Sequence, residues 1–271
     1  MISIIVPTIN SAIYLNAFLD SLTSQTYKNF EIIVNDDLKT EDGTKGVVRK
    51  YSEKLKIKYM QKNYSIAQGR KSGSEYAKGE YQLHLDVDMV LSPKVLRGCL
   101  DEIKNCDAII IPEISFGEGF WAKVRIFERS FYMGDDTVES ARFFKTSVYN
   151  KVKGHNVDMV FSEDKDLDLR VRAAGFRLSR IKEPIYHNEG RLTLSKDLRK
   201  KFFYGKTAQV FVSTNPGHAF KQANLIFRPA FFRQWRRLLE NPFLSISMFA
   251  LKLLEIVAVL FGLISTKISF K

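Results

Sequence analysis

In Tyr81-Gln82-Leu83-His84-Leu85-Asp86-Val87-Asp88 a short apolar strand runs straight into two carboxylates separated by one residue. Before it, a helical stretch from Ser65 to Lys78 stops at Gly79; after it, Pro93 to Asn105 is again helical. The same unit is written twice more towards the N-terminus. Ile2–Val6 is an apolar run ending at Pro7, as a buried parallel strand reads, and Ala12 to Thr26 follows with Leu15, Phe18, Leu19 and Leu22 on one helical face. Glu31–Val34 runs into Asp36-Asp37 and is followed by a helical Thr44–Leu55; Ile57–Met60 and Ala108–Ile111 read as further strands. Strand–helix–strand alternation predicts an α/β fold, a mostly parallel, Rossmann-like sheet with helices on both faces. Ligands of such sheets bind beyond the carboxyl ends of the strands, which is where both acidic clusters fall.

Later in the chain, Phe116 to Gly134 is Gly- and aromatic-rich, which predicts a loop and then a short helix. Ser162 to Ala174 predicts a helix with Ser162 as N-cap and Gly175 as stop, and Ile181–His187 one more strand. The length, 271 residues, suffices for one sizeable α/β domain with or without an appendage. With 45% apolar and 27% charged residues the chain folds rather than staying disordered. Cys99 and Cys106 make neither a disulfide framework nor a metal site. The chain opens directly on a strand, without a basic leader, so the catalytic part is expected to face the cytosol.

The net charge of +12 favours an anionic partner: nucleic acid, anionic lipid or a phosphorylated ligand. Eleven Lys and Arg, Lys221 among them, lie between Arg191 and Glu240, opposed only by Asp197 and Glu240. No nucleic-acid-binding motif accompanies the charge, and no nucleic acid partner is expected. Phe202, Phe203, Tyr204, Phe211, Phe227, Phe231, Phe232 and Trp235 are interleaved with these cations, the composition of helices lying in a lipid interface. Leu244 to Ile264 is apolar over about the length of a bilayer core, and Arg233, Arg236 and Arg237 before it mark a cytosolic side. Lys252 and Glu255 interrupt it, so the segment either spans, lies embedded, or packs as a buried helix. The expected organisation is a catalytic domain over 1–190, basic amphipathic helices over 191–240 and a membrane-embedded or transmembrane segment over 241–271.

The acidic clusters leave two readings each. Asp86 and Asp88 either bridge Mg²⁺ or Mn²⁺ to substrate phosphates or form a solvated turn. Asp36 and Asp37 either accept hydrogen bonds from a base or ribose or serve as ordinary turn residues.

Four runs carry a resemblance. Val6-Pro7-Thr8-Ile9-Asn10 resembles the VPxYN start of family 2 glycosyltransferases. Gln25 to Val34, continuing to Asp36-Asp37, resembles their QTYxxFEIIVVDDGS segment. The helix with Ala67, Gly69 and Arg70, followed by Ala77-Lys78-Gly79-Glu80-Tyr81 through Asp88, resembles their GEYxxFLDxDD region. Ser162-Glu163-Asp164-Lys165-Asp166-Leu167-Asp168-Leu169-Arg170 with Gly175 resembles xEDxDLxxRxxxxG. Four motifs in order over about 190 residues are far more specific than one pattern.

The resemblance implies a GT-A fold and an inverting transfer from a nucleotide-sugar. It implies that Pro7, Thr8, Asn10, Asp36 or Asp37, and Arg70 hold the nucleoside and diphosphate. Asp86 would meet the ribose and Asp88 the metal, Mg²⁺ or Mn²⁺, with His187 as a possible further ligand; the alternative is a plain strand-end histidine. Asp164 would be the base, its alternative a helix-capping acid, and Arg191 would reach the diphosphate or remain a solvated charge. Glu118, Trp121, Glu163 and Arg170 are acceptor-side candidates, although Phe116–Trp121 also reads as an aromatic-packed loop. The usual Gly-Ser after the acidic pair is here Leu38-Lys39, and Gln234-Trp235-Arg236-Arg237 is not the QxxRW motif of processive synthases, so one sugar per acceptor is expected. The tail resembles that of archaeal membrane-associated mannosyltransferases, which implies mannose from GDP-mannose, with UDP-sugars as the other donors, and a polyprenyl phosphate or diphosphate acceptor. A phosphate oxygen as acceptor atom would need no base. The competing readings are a nucleotidyltransferase, for which no Gly-rich, Lys-bearing N-terminal signature is present, and a non-catalytic binding module.

Overall fold

The central strands pair as the alternation predicts, with one antiparallel insertion. The computed structural model describes residues 1–217 and 228–268, so Lys221 and Phe227 lie outside the described residues. Its first elements are β1 (Ile2–Thr8), α1 (Ala12–Thr23), β2 (Phe30–Asp37), α2 (Thr44–Tyr51), β3 (Ile57–Lys62), α3 (Ile66–Glu75), β4 (Tyr81–His84), β5 (Met89–Leu91), α4 (Val95–Glu102) and β6 (Ala108–Ile110). They are followed by β7 (Glu113–Glu118), α5 (Phe120–Arg129), β8 (Ala141–Lys145), α6 (Thr146–Lys151), α7 (Glu163–Ala173), β9 (Leu178–Arg180) and β10 (Ile185–Arg191). The C-terminal helices are α8 (Leu194–Thr207), α9 (Gln209–Thr214), α10 (Pro229–Arg233), α11 (Trp235–Glu240) and α12 (Pro242–Ile268).

Seven strands form one sheet in the order β3-β2-β1-β4-β8-β6-β9, and β5-β10-β7 form a second. Strands β3, β2, β1 and β4 are mutually parallel, as are β6 and β9; β8 is antiparallel to both neighbours. Strand β8 escapes the sequence reading because Ala-Arg-Phe-Phe-Lys is too short and too charged to declare a buried strand. Chain order reverses across β1, with β2 on one side and β4 on the other, so the crevice past these strands is the expected ligand site.

Alternate side chains point to opposite faces, and both faces are covered. On one, Ile4, Ile32, Leu83 and Phe143 pack with α1 and α4; Leu15, Phe18, Leu19 and Leu22 are fully buried there. Each is worth about 1.5–3 kcal/mol relative to exposure. On the other, Ala108, Ile110 and Phe144 pack with Val148, Leu167 and Val171 of α6 and α7. Helix α3 joins that second face through glycine: a Cβ at Gly73 would meet Ile5 and the Asn35 amide at 2.6 Å. Its N-terminus is closed by a reciprocal Ser65–Gln68 capping box. At α7 the expectation of a Ser162 N-cap gives way: Ser162 has φ 58, whereas capping serines adopt extended backbone.

The chain forms two compact units: Met1–Glu113, Glu139–Val157 and Glu163–His187; and Ile114–Val138, Asp158–Ser162 and Asn188–Lys271. The second contains α12, the one helix among the described residues long and apolar enough to cross a bilayer. One seam of α12, Met248, Leu251, Lys252, Glu255 and Gly262, is buried, whereas Phe243, Ile246, Leu253, Val257, Leu260, Phe261 and Ile264 face away. The buried seam meets α5 and α8. A Cβ at Gly205 would strike the Val259 carbonyl and one at Gly262 the Phe202 carbonyl, so α8 and α12 cross backbone to backbone.

The charges that interrupt the apolar run are buried in a polar cluster. Arg125 bonds Glu128 and Asp197, each at 2.9 Å, and also Glu255. Lys252 bonds Glu128, and Lys201 lies 3.3 Å from Glu255. Three cations thus meet three carboxylates. Removing one partner leaves an uncompensated buried charge, so Glu255→Ala is expected to cost about 3–5 kcal/mol. Urea unfolding of the detergent-solubilised protein measures it, and a change below 1 kcal/mol would contradict the cluster's role.

Candidate active site

The carboxyl ends of β1 and β2 carry Pro7, Thr8, Asn10, Asp36 and Asp37 together. Asp36 is fully buried and its carboxylate is consumed by protein hydroxyls: Thr8 (2.8 Å) and Thr40 (2.7 Å) donate to Oδ1 and Tyr59 (2.6 Å) to Oδ2. Burial, with Asp36 adding, raises the Tyr59 phenol, which stays a donor. Asp37 accepts from the Lys39 N–H (2.8 Å), and Asn10, at φ 46, accepts from the Glu41 N–H (2.9 Å). A left-handed Asn is tolerated where most residues are strained. These bonds fold the 38–42 loop back over β1.

Beyond β4 lies a second group. Arg70 of α3 has a side chain only 1% exposed, and it donates to Asp86 Oδ1 at 2.5 Å. It also lies 3.7 Å from Asp164 and 4.0 Å from Glu163, both in the first turn of α7. Arg142 of β8 donates through Nε to Glu113 (2.6 Å) and stands 3.6 Å from both Asp86 and Asp164. His187, which pairs with Met89 in the β5–β10 register, turns Nδ1 to Glu113 (3.2 Å) and Nε2 to Asp88 (3.4 Å). Asp86, Glu113, Glu163 and Asp164 therefore surround two guanidiniums, and Asp88 joins them through His187.

The electrostatics follow from burial and these neighbours. Burial raises the Asp164 carboxyl, but Arg70, the His155 hydrogen bond and Arg142 outweigh it and hold the group well below its usual range. For Glu163, burial and then Asp164 win over Arg70 and push it up to about 7. A carboxyl raised in the folded state binds extra protons there, so its contribution to stability is complete below pH 4.5 and lost as pH rises through 7. Glu163→Gln is therefore expected to gain roughly 2 kcal/mol on wild type between pH 5 and pH 8. Thermal melts at the two pH values measure this; parallel curves would contradict it.

The site residues resemble a donor set for a divalent cation. Asp88 and His187 offer an oxygen and a nitrogen side by side, and Glu113 on His187 Nδ1 is the outer carboxylate that orients metal-binding imidazoles. No cluster of three or more His, Cys, Asp or Glu able to hold a metal occurs among the described residues. A metal here would complete its shell with ligand oxygens and water, as Mg²⁺ commonly does.

The profile of glycosyl transferase family 2 matches residues 3–161. The chain belongs to this family. The Staphylococcus aureus poly(ribitol-phosphate) β-N-acetylglucosaminyltransferase TarP is a family-type relative, 30% identical over 163 residues, 58% of this chain and 50% of TarP. Validoxylamine A glucosyltransferase of Streptomyces hygroscopicus subsp. jinggangensis is 33% identical over 105 residues, 37% of this chain and 25% of that protein. The chain thus spans half or less of the length of these curated relatives. Among solved structures, S. aureus TarS 1–349 with UDP-GlcNAc superposes with TM-score 0.58 at 18% identity, covering 99% of this chain and 92% of that one. The mannosyltransferase PcManGT of Pyrobaculum calidifontis with GDP-Man and Mn²⁺ gives 0.63 at 15% identity, over 98% and 86% of the two chains. The fold is the GT-A type that the four motifs imply.

Within this family frame the expected site residues divide by unit. Pro7, Thr8, Asn10, Asp36, Asp37, Arg70, Asp86, Asp88, Glu163, Asp164, Arg170 and His187 belong to the first unit; Glu118, Trp121 and Arg191 belong to the second. Glu118 and Arg191 are exposed, and Trp121 packs edge-on against Phe120 with ring centroids 5.1 Å apart. Arg170 is tied to Asp166 at 2.8 Å and to the Val152 carbonyl. Sequence reading missed Glu113, Arg142 and His155. Glu113 had a signal, since it follows strand residues 108–111 at their carboxyl end. Arg142 had none, lying on the unforeseen β8.

Proposed function

We propose that the protein is an inverting, metal-dependent transferase that moves one sugar from a nucleoside diphosphate donor to a lipid-linked acceptor at a membrane surface. The observation that carries this reading is the group of five carboxyls gathered with Arg70, Arg142 and His187 at the strand ends. A site with that surplus of negative charge repels a diphosphate unless a divalent cation accompanies it. Asp88 and His187 would hold the cation, and when bound it would neutralise charge on the leaving diphosphate. Family membership favours sugar transfer over nucleotidyl transfer or binding alone.

Asp37, Thr8 and Asn10 line the nucleoside end in this reading, with Asp36 locking Thr8 in place. Arg70 holds Asp86 in position and keeps Asp164 ionised instead of reaching the diphosphate itself. Asp86 meets the ribose, and Asp164 accepts the proton of a sugar hydroxyl on the lipid-linked acceptor as that oxygen attacks C1. GDP-mannose is the proposed donor, from the resemblance of the tail; the likeness to TarP, an N-acetylglucosaminyltransferase, keeps a nucleotide-activated N-acetylglucosamine beside it.

Membrane association rests on the outward apolar face of α12 and on Phe232, Trp235 and Leu239, all more than half exposed beside Arg233 and Arg236. The buried Lys252 and Glu255 favour α12 lying in the interface over spanning, because spanning would carry α5 and α8 into the bilayer with it.

The test is nucleotide release by detergent-solubilised protein offered GDP-mannose and UDP-N-acetylglucosamine, with Mn²⁺ or Mg²⁺, with and without chelator and lipid extract. Chelator-sensitive, lipid-stimulated release with one sugar added per acceptor is expected. Release indifferent to chelator would sink the metal, and long products would sink single addition.

A further inference from the structure

Behind Asp164 lies a column of buried rings that the reaction described above does not use. His155 is 1% exposed. Its Nε2 lies 3.1 Å from Asp164 Oδ1, and its Nδ1 lies 2.8 Å from the Tyr149 hydroxyl. The His155 backbone N–H also donates to that hydroxyl, at 3.2 Å. The ring of His84 stacks on Tyr149 at 4.8 Å and 16°, and is 4.8 Å from His155. The turn that swings His155 into this column is built for it. Lys153 and Gly154 are both left-handed, at φ 65 and 62, and a Cβ on Gly154 would sit 2.6–2.8 Å from the Tyr149 ring.

We propose that His155 is a positioning residue for Asp164: as a neutral imidazole protonated on Nε2, with Tyr149 holding its Nδ1, it pins Oδ1 and leaves Oδ2 to take the acceptor proton. This rests on the reading of Asp164 as base. An ionised carboxylate only accepts hydrogen bonds, so the proton between the two residues is on His155 Nε2. A neutral ring then has a bare Nδ1, which the Tyr149 O–H fills. Neutrality has its own support: burial lowers His155, and the hydrogen bond to Asp164 offsets this only in part. The pin matters because Oδ2 lies 3.7 Å from Arg70 and 3.6 Å from Arg142, outside hydrogen-bond range of both. Freed from His155, the carboxylate rotates onto these guanidiniums and loses its reach and basicity.

Two measurements test this. Long-range ¹H–¹⁵N spectra of histidine-labelled protein, with His155→Gln for assignment, are expected to show the neutral Nε2–H form at pH 7. An Nδ1–H tautomer or an imidazolium would overturn the proposal. Second, hydrolysis of GDP-mannose and UDP-N-acetylglucosamine needs no identified acceptor. His155→Phe is expected to lower kcat about 10–50-fold with KM for the donor within about twofold. His155→Gln, whose amide N–H reaches the Nε2 position, is expected to recover to within about fivefold of wild type. Equal loss in both variants would mean a packing role only, and an unchanged His155→Phe would sink the proposal outright. Asp164→Asn separates the two readings. If it keeps the wild-type rate, the base assignment fails; if it is inactive while His155→Phe is not impaired, only the positioning role fails. Where neither donor is hydrolysed by wild type, the tautomer decides alone.

Discussion

Asp164→Asn is expected to lower sugar transfer about 10³-fold while leaving donor binding nearly unchanged, with a lower melting temperature because Arg70 and Arg142 lose a buried negative partner. The side chain keeps its shape, so its place in the first turn of α7 and the hydrogen bond from His155 can be retained with the amide oxygen as acceptor. What is lost is the ability to take a proton, and general-base contributions run from about 10² to 10⁴. The low proton affinity of Asp164 does not weaken the argument. Arg70 and Arg142 keep it ionised at every working pH, and the acceptor hydroxyl becomes acidic only as its bond to C1 forms. Single-turnover transfer measured beside isothermal titration of the nucleotide separates the two effects. A variant that transfers at near the wild-type rate would show that the attacking atom is already ionised. A phosphate oxygen on the lipid is the natural candidate, with Asp164 then balancing charge.

Asp88→Ala carries the second large effect: a loss of about 10³-fold in release of nucleotide, together with loss of the response to added Mn²⁺. The reasoning starts from charge. With Asp88 gone, His187 keeps its Glu113 bond but loses the carboxylate oxygen 3.4 Å from its Nε2. His187→Ala is expected to be milder, raising the Mn²⁺ needed for half-maximal rate and lowering that rate roughly 10-fold. A titration of Mn²⁺ against rate for wild type and both variants measures this. Unchanged midpoints in both would remove the metal site from Asp88 and His187.

The parallel core was legible because its strands are fully buried and therefore written as apolar runs: Ile2 to Val6 and Ile32 to Val34 leave little else to be. The two acidic clusters were legible because sheet topology assigns meaning to a carboxylate at a strand end. Strand β8 was not legible. Its neighbours β4 and β6 supply the burial, so five residues, two of them charged, suffice once the sheet exists. Arg142 was hidden with it. Phe116 to Glu118 read as the start of a Gly- and aromatic-rich loop, yet they lie in strand β7. Gly117 is there because a Cβ would come within 2.8 Å of the Gly190 carbonyl. In the tail, Lys252 and Glu255 left a span, an embedded segment and a buried helix open; their partners Arg125, Glu128, Asp197 and Lys201, which decide that they are buried, are 50 or more positions away in the chain, beyond any periodicity.

The same six residues bear on how the protein is made. Helices α5 and α8 leave the ribosome first and bring Arg125, Glu128, Asp197 and Lys201, a set that is already electrically balanced. Helix α12 emerges after them, carrying Lys252 and Glu255, again balanced. Neither half therefore waits in a state of net buried charge, and docking moves none between them. Until docking, however, the late helix has two ionic groups in its middle that a lipid environment penalises by roughly 2.5–3.5 kcal/mol each on insertion scales. On the proposed membrane attachment, the tail would commit to the surface only after the helices upstream of it are in place, and attachment would then report that α5 and α8 have folded.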